Sequence, residues 1–175
     1  MPSRAMSPTV EPGDTLFVKK WEFLSTTGFN PQYGDVLVFK FPEEDRTYIK
    51  RVVGLPKDEV EIKNGILYLN QFPQTRFKNE DALCGEETLP NGKSFPVCRE
   101  KPLLSIPDKI TLKVGEFFVI GDFRALTSDL RRTRAYGTIT TQNVIGSAFL
   151  IWISIQQDST GFKTIRFDRM FKIIR

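Results

Sequence analysis

The stretch "TYIKRVVGLPKDEVEIKNGILYLN" (residues 47–70) indicates the fold more strongly than any other part of the sequence. It holds three short runs rich in β-branched and aromatic residues: 47–54, 58–64 and 66–71. Asn64-Gly65 stands between the last two runs, and an Asn-Gly pair between alternating apolar segments is the strongest short-range hairpin signal because both residues accept a positive φ. We therefore expect a strand followed by a tight β-hairpin.

Strand signals of the same kind recur along the chain, whereas helix signals are nearly absent. The run 144–155, "VIGSAFLIWISI", is shorter than the roughly 20 residues that a membrane-spanning helix needs, so we interpret it as a buried strand. No signal peptide is recognisable, and an anchor in the parent protein would precede residue 1. The pattern predicts a mainly β protein of coiled antiparallel sheets. The other predicted strands are 14–20, 35–41, 115–122 and 162–168.

The composition is that of a folded domain with one inserted segment. The 175 residues are 40% hydrophobic and include 15 Phe, which is enough for a substantial core. Residues 72–110 are more polar and richer in proline, and we interpret them as an insert or subdomain that is itself rich in β-strands; residues 1–71 and 111–175 would then form the catalytic β core. The net charge of +4 is scattered rather than clustered, so no nucleic-acid partner is expected.

The two cysteines and the absence of histidine limit the possible chemistry. Cys84 and Cys98 flank a Pro-Asn-Gly turn and favour a disulfide in an oxidising compartment; two free thiols in a cytosolic protein are the alternative. A chain without histidine lacks the commonest general base and metal ligand, so no metal or cofactor is expected. A hydrolytic mechanism would need another base, and lysine is the obvious candidate.

Lys50 lies within one of the apolar runs and is the candidate base. In a strand its side chain shares a face with Tyr48 and Val52, while Ile49 and Arg51 point to the other face. Apolar surroundings lower the pKa of a lysine because they penalise the charged ammonium. Most strand lysines are surface residues whose stems pack on apolar neighbours. The lack of histidine and the turn-rich first segment favour a role for Lys50 as a general base over that of a surface lysine.

Three segments together resemble the type I signal peptidases. "SRAMSPTVEPGD" (3–14) is similar to the family's nucleophile box, and "YIKRVVGLPKD" (48–58) is similar to its lysine box. "GDFRALTSDLR" (121–131) resembles the third box, although Phe123, Ala125 and Leu126 replace residues that are usually polar. The resemblance implies a membrane-associated serine endopeptidase with a Ser-Lys dyad. Such an enzyme removes N-terminal signal peptides from exported preproteins after small residues.

The resemblance assigns a role to individual positions. Ala5 stands where the family has its nucleophilic serine, and Lys50 stands where it has the general base. Ser3 matches a serine that forms the oxyanion hole together with the backbone N–H of residue 5, and Thr127 matches the residue that orients the lysine. Asp129 and Arg131 match a charged pair that supports the site, and an alternative register would put Arg134 in place of Arg131. The residues that match the substrate pockets are Pro2, Met6, Tyr48 and Ile49.

Two hypotheses explain the alanine at position 5, and a third concerns the class of the whole chain. A deliberate Ser→Ala substitution would remove the nucleophile and keep the rest of the site. A natural pseudoenzyme would instead bind signal peptides or scaffold a secretion complex. A self-cleaving repressor domain shares the Ser-Lys dyad, but this chain lacks a DNA-binding helical region. For the favoured first hypothesis, the resemblance implies signal peptides, the membrane lipid surface and the export machinery as partners, with the domain on the periplasmic side of the inner membrane.

Overall fold

The computed structural model describes residues 4–20, 30–41, 46–101, 103, 105–106, 108–125 and 136–174, without the side chains of Ala125 and Tyr136. These residues form three β-sheets and a few short 3₁₀ turns. The mainly β, antiparallel architecture that the sequence predicts is confirmed, with one parallel strand pair as an exception. No helix among the described residues is long and apolar enough to cross a bilayer.

The largest sheet has eight strands and includes the first and the last strand of the described residues. Its main path runs in the order β1-β14-β2-β3-β11-β13, and two short C-terminal strands, β15 and β16, also pair with β14. Its members are β1 (Asp14–Lys20), β2 (Val36–Lys40), β3 (Thr47–Gly54), β11 (Glu116–Ile120), β13 (Tyr136–Thr140), β14 (Val144–Gln157), β15 (Lys163–Ile165) and β16 (Lys172–Ile173); 3₁₀ turns span Arg4–Met6, Thr141–Asn143 and Phe167–Arg169.

Two four-stranded sheets extend from this one. The second has the order β10-β4-β5-β6, and the third has the order β12-β9-β8-β7. The predicted hairpin is confirmed, because β4 and β5 pair across Asn64 and Gly65, whose φ angles are 51° and 75°. The bounds are β4 (Glu59–Lys63), β5 (Ile66–Leu69), β6 (Phe72–Pro73), β7 (Thr75–Phe77), β8 (Cys84–Thr88), β9 (Ser94–Glu100), β10 (Ile110–Thr111) and β12 (Phe123–Ala125).

The third sheet joins the predicted insert to the third box. Strands β7, β8 and β9 lie within residues 72–110, whereas β12 follows β11 of the large sheet and pairs parallel with β9. Cys84 and Cys98 face each other across β8 and β9 and form a disulfide, as the turn between them predicts. One hydrophobic cluster also contains residues from both regions, among them Leu89 and Val97 of the insert and Val53 and Phe118 of the large sheet.

Strand β14 corrects one expectation from the sequence. The sequence predicts a buried strand, but only every second or third residue is buried, and one surface carries exposed aromatic side chains. Phe149 and Trp152 are 48% and 45% exposed, and Phe17 of the neighbouring β1 packs against both. Periodicity alone did not show this surface, because its apolar side chains are as hydrophobic as those of a core strand.

Candidate active site

Ala5 lies in a tight turn at the start of the described chain. Residues 4–6 form a 3₁₀ turn in which the N–H of Ser7 donates to the carbonyl of Arg4 at 2.9 Å. The N–H of Val10 donates to the carbonyl of Met6, and the Ser7–Pro8 peptide bond is cis. Ala5 is therefore held in a compact segment and is half-buried.

The C-terminal residues anchor the chain that follows this turn. The carboxylate of Asp14 accepts hydrogen bonds from Arg169 at 2.6 and 3.1 Å and from Ser154 at 2.5 Å. Arg169 also donates to the carbonyl of Thr9 at 3.1 Å. Burial acts to raise the pKa of Asp14, but the hydrogen bonds from Arg169, Glu11 and Ser154 outweigh it and lower that pKa. Hydrogen bonds from Arg169 thus hold the backbone of the segment that follows Ala5, between Thr9 and Asp14.

Lys50 is buried in the middle of β3. It lies opposite Leu37 of β2, and its neighbour Tyr48 lies opposite Phe39, so the lysine shares the apolar face that strand alternation predicts. The residue is only 4% exposed. Loss of hydration lowers the pKa of its amine from the ordinary 10.5 to about 8, although the negative charge of Asp122 acts in the opposite direction. A substantial neutral fraction near pH 8 suits the amine to act as a base.

Gly121 brings the Ala5 turn and the Lys50 amine together. It joins β11 to β12, and a Cβ added to it would overlap the carbonyl oxygen of Ala5 and lie 3.3 Å from Nζ of Lys50. A residue with a side chain would therefore separate these two groups. The close approach explains why glycine opens the third box.

A buried ion pair lies directly beside this contact. Arg51 donates two hydrogen bonds to the carboxylate of Asp122, at 2.9 and 2.7 Å, and both side chains are fully buried. Thr9 donates to the same carboxylate at 2.5 Å, while Arg51 also reaches the carbonyl of Gly34 and stacks on Phe95. The pair ties the lysine strand to the third box and to the segment after Ala5. Sequence reasoning assigned no role to Arg51 or Asp122, although both lie in the quoted boxes.

The predicted pocket residues separate into two groups. Met6 and Ile49 belong to one apolar cluster with Val38, and Met6 is only 3% exposed. Tyr48 packs in another cluster against Phe39, on the face of Lys50. The remaining predicted site residues, Pro2, Ser3, Thr127, Asp129, Arg131 and Arg134, lie outside the described residues.

An open groove of about 540 Å³ lies beside the Met6 cluster rather than at the lysine. Val36 and Ala148 belong both to its lining and to that cluster. Asp35 and Lys93, which form an ion pair at 3.1 Å, contribute polar edges. Neither Ala5 nor Lys50 lines it. The groove is therefore separate from the contact at Gly121.

Comparison with known protein families matches residues 1–153 to the family described as "Signal peptidase, peptidase S26". The chain belongs to this family. The match includes all three boxes, so the contact between Ala5, Lys50 and Gly121 lies within the signal peptidase region of the chain.

Individual signal peptidases are similar over most of the chain. "Signal peptidase I" of Pseudomonas aeruginosa is 33% identical over 180 residues, covering 88% of this chain and 63% of that protein. "Signal peptidase I" of Rickettsia bellii is 29% identical over 188 residues, and the chain spans 64% of its length. The crystal structure of a signal peptidase I from Enterococcus faecalis superimposes with a TM-score of 0.42 at 23% sequence identity. The superposition covers 68% of this chain and 97% of that one.

Proposed function

We propose that this chain is the catalytic domain of a type I signal peptidase, a serine endopeptidase that removes signal peptides from exported preproteins after small residues. The observation that carries the proposal is the buried Lys50 amine, which meets the Ala5 turn at Gly121. The family membership and the relatives named signal peptidase I support the same activity.

The proposed mechanism uses a serine at position 5. The neutral amine of Lys50 removes the proton from the serine hydroxyl, and the serine oxygen attacks the scissile carbonyl. The backbone N–H of residue 5 and the hydroxyl of Ser3 would stabilise the oxyanion. The protonated Lys50 then gives its proton to the leaving amine, and water hydrolyses the acyl-enzyme. Thr127 would orient the lysine, and Asp129 with Arg131, or Arg134, would support it.

The chain as it stands has no hydroxyl at position 5, so we propose that it binds but does not cleave. An introduced Ser→Ala substitution accounts for the retained lysine and third-box glycine. Ala5 itself also favours a second candidate, a natural pseudoenzyme that holds signal peptides or scaffolds a secretion complex. The residue at position 5 of the natural gene distinguishes these two.

The pH dependence of an Ala5→Ser protein tests the proposed base. Only the neutral amine accepts a proton, so kcat/KM for a signal-peptide substrate should rise with pH through about 8 and level off above it. The measurement is the initial cleavage rate between pH 6 and 11, with protein stability followed in parallel. A limb at the ordinary lysine value of 10.5 would contradict a desolvated Lys50 acting as the base.

We also propose that an aromatic face rests on the membrane lipid surface. It consists of Phe17, Phe149, Trp152 and Phe171, which are between 45% and 56% exposed. Trp152 contacts Phe17 and Phe171 at ring-centroid distances of 5.3 and 4.9 Å, so the four side chains are continuous. Aromatic side chains favour the headgroup region of a bilayer, and the exposed lysines nearby in sequence suit anionic lipid. These lysines are Lys19, Lys20 and Lys172.

Removing part of the aromatic face should weaken lipid binding. The double variant Phe149→Ser/Phe171→Ser is expected to lower partitioning into phosphatidylglycerol-containing vesicles by about tenfold, because two apolar side chains no longer leave water. Co-sedimentation with vesicles measures the effect. Phe72→Ser is the matched control, because Phe72 is 71% exposed and lies on β6 of a different sheet. Equal losses for the two proteins would contradict a specific membrane face.

We further propose a cellular location and a domain organisation for the chain. The Cys84–Cys98 disulfide supports an extracytoplasmic, periplasmic position, because such bonds persist in oxidising compartments. We propose that the domain works at the inner membrane beside the export machinery. Residues 72–110 would form an insert on a core made of residues 1–71 and 111–175.

A further inference from the structure

A second buried ion pair contacts the backbone of Gly121. Arg124 of β12 donates to both carboxylate oxygens of Glu87 in β8, at 2.9 and 3.0 Å, and both side chains are fully buried. Thr75 of β7 donates to the same carboxylate at 2.7 Å and accepts a hydrogen bond from the N–H of Leu67. This chain of contacts links three strands of the third sheet.

Arg124 connects that chain to the active site. Its Nε donates to the carbonyl oxygen of Gly121 at 2.8 Å, and Gly121 is the residue that packs against Ala5 and Lys50. The next peptide group is held as well, because the N–H of Cys98 donates to the carbonyl of Asp122 at 2.9 Å. The insert thus contacts the Asp122 carbonyl directly through Cys98, and it reaches the Gly121 carbonyl through the Glu87–Arg124 pair.

Stability alone does not explain this ion pair. A buried ion pair is commonly no more stabilising than two apolar side chains of similar size, because desolvation offsets the attraction. In the part of the chain that the structure describes, Nη1 of Arg124 is buried without a hydrogen-bond partner, which adds to that cost. An apolar pair could fill the same space, but it could not hold the Gly121 carbonyl.

We propose that Arg124 and Glu87 are positioning residues of the active site, which act through the Gly121 carbonyl to keep the Ala5 turn and the Lys50 amine in contact. The inference rests on the proposed function and assigns to the insert a role in placing the base. Glu87 fixes the guanidinium, and the guanidinium fixes the glycine. Neither side chain touches the substrate or the reacting atoms.

The experiment replaces the pair by apolar residues in the Ala5→Ser protein. Because no lone buried charge remains, Glu87→Leu/Arg124→Met should melt within about 3 °C of its parent. Its kcat is expected to fall by about 10- to 100-fold with little change in KM, since a small displacement between nucleophile and base affects the chemical step. An unchanged fold with kcat within twofold of the parent would overturn the proposal.

The matched control is Arg99→Met. Arg99 lies beside Arg124 in the neighbouring strand and is also buried, but among the described residues its side chain donates only to carbonyl groups of the insert and of the β4–β5 turn. This variant should lose thermal stability yet keep its kcat at temperatures well below its melting point. An equal fall in kcat for Arg99→Met would show a general loss of structure and would also overturn the proposal.

A second measurement does not depend on cleavage. In the Ala5 chain labelled with ¹³C at the lysine ε-carbons, the Lys50 signal, assigned by comparison with Lys50→Met, should titrate near 8. In the double variant this midpoint should move toward 10.5, because a displaced Gly121 admits water to the amine. An unmoved Lys50 midpoint in a folded double variant would contradict the positioning role, whether or not Ala5→Ser is active. An inactive Ala5→Ser protein would instead refute the proposed function.

Thr75→Val is the variant to use where the double variant does not fold. It removes the hydrogen bond to Glu87 and the acceptor of the Leu67 N–H but leaves the ion pair intact, so the expected fall in kcat is smaller, about threefold. An unchanged kcat and an unchanged Lys50 midpoint in this variant would then overturn the proposal.

Discussion

Replacing Ala5 by serine is expected to create signal-peptide cleavage, which we expect the chain with Ala5 to lack. The gain should be roughly 10⁴-fold or more over the Ala5 chain, because the loss of a covalent nucleophile removes most of the rate of a serine protease. The Ala5 turn and the Lys50 amine both lie close to Gly121, so a serine hydroxyl at position 5 is the group that the proposed dyad lacks. Mass spectrometry of the products measures both the rate and the bond that is cleaved, which should follow a small residue.

The control for this experiment is a serine placed elsewhere. Ala82→Ser adds the same hydroxyl to a loop of the insert, remote in sequence from the boxes, and should leave the chain inactive. Cleavage by both variants would point to a contaminating protease. An inactive but folded Ala5→Ser protein would favour the pseudoenzyme.

The Asp122→Ala variant is expected to show the largest loss of stability. Removal of the Asp122 carboxylate leaves the guanidinium of Arg51 buried without its main partner, and the Thr9 hydroxyl loses its acceptor. Breaking a buried ion pair in this way costs about 3–5 kcal/mol of unfolding free energy. For a chain of this size the melting temperature should fall by roughly 10 °C, which calorimetry or circular dichroism would detect.

An exposed ion pair provides the comparison. Asp81→Asn breaks the contact between Asp81 and Lys101, whose side chains are 90% and 65% exposed, and should change the melting temperature very little. The double variant Arg51→Met/Asp122→Leu should recover much of the stability that Asp122→Ala loses, because no lone charge stays buried. Equal melting temperatures for Asp122→Ala and Asp81→Asn would contradict the buried network.

Residue patterns predicted the candidate base but not the groups that hold it. Lys50 is recognisable because a charged residue interrupts an apolar run, and Asn64-Gly65 fixes a hairpin by backbone geometry alone. The Arg51–Asp122 pair joins positions 71 residues apart. A sequence does not show which of its many carboxylates meets a buried arginine, although an arginine inside an apolar strand was a signal that such a partner exists.

The strands of the third sheet could not be predicted from the sequence for a related reason. Several of its inward-facing side chains are polar, namely Thr75, Glu87, Arg99 and Arg124. Binary patterning assigns such residues to the surface, so the sequence predicts a β-rich insert at residues 72–110 but does not delimit its strands. Strand β9 does alternate between exposed and buried positions, but Arg99 at one inward position masks the apolar period. Buried hydrogen-bonded charges are the part of a fold that hydrophobic periodicity misses.

The rate of Ala5→Ser/Lys50→Met relative to Ala5→Ser tests the central claim most directly. Methionine fills the space of the lysine stem, so the double variant should fold, while the amine that accepts the serine proton is gone. The two proteins would be compared on one preprotein at pH 9, above the Lys50 pKa of about 8. We predict a loss of roughly 10³-fold or more. Rates within tenfold of each other, in two equally folded proteins, would contradict Lys50 as the base.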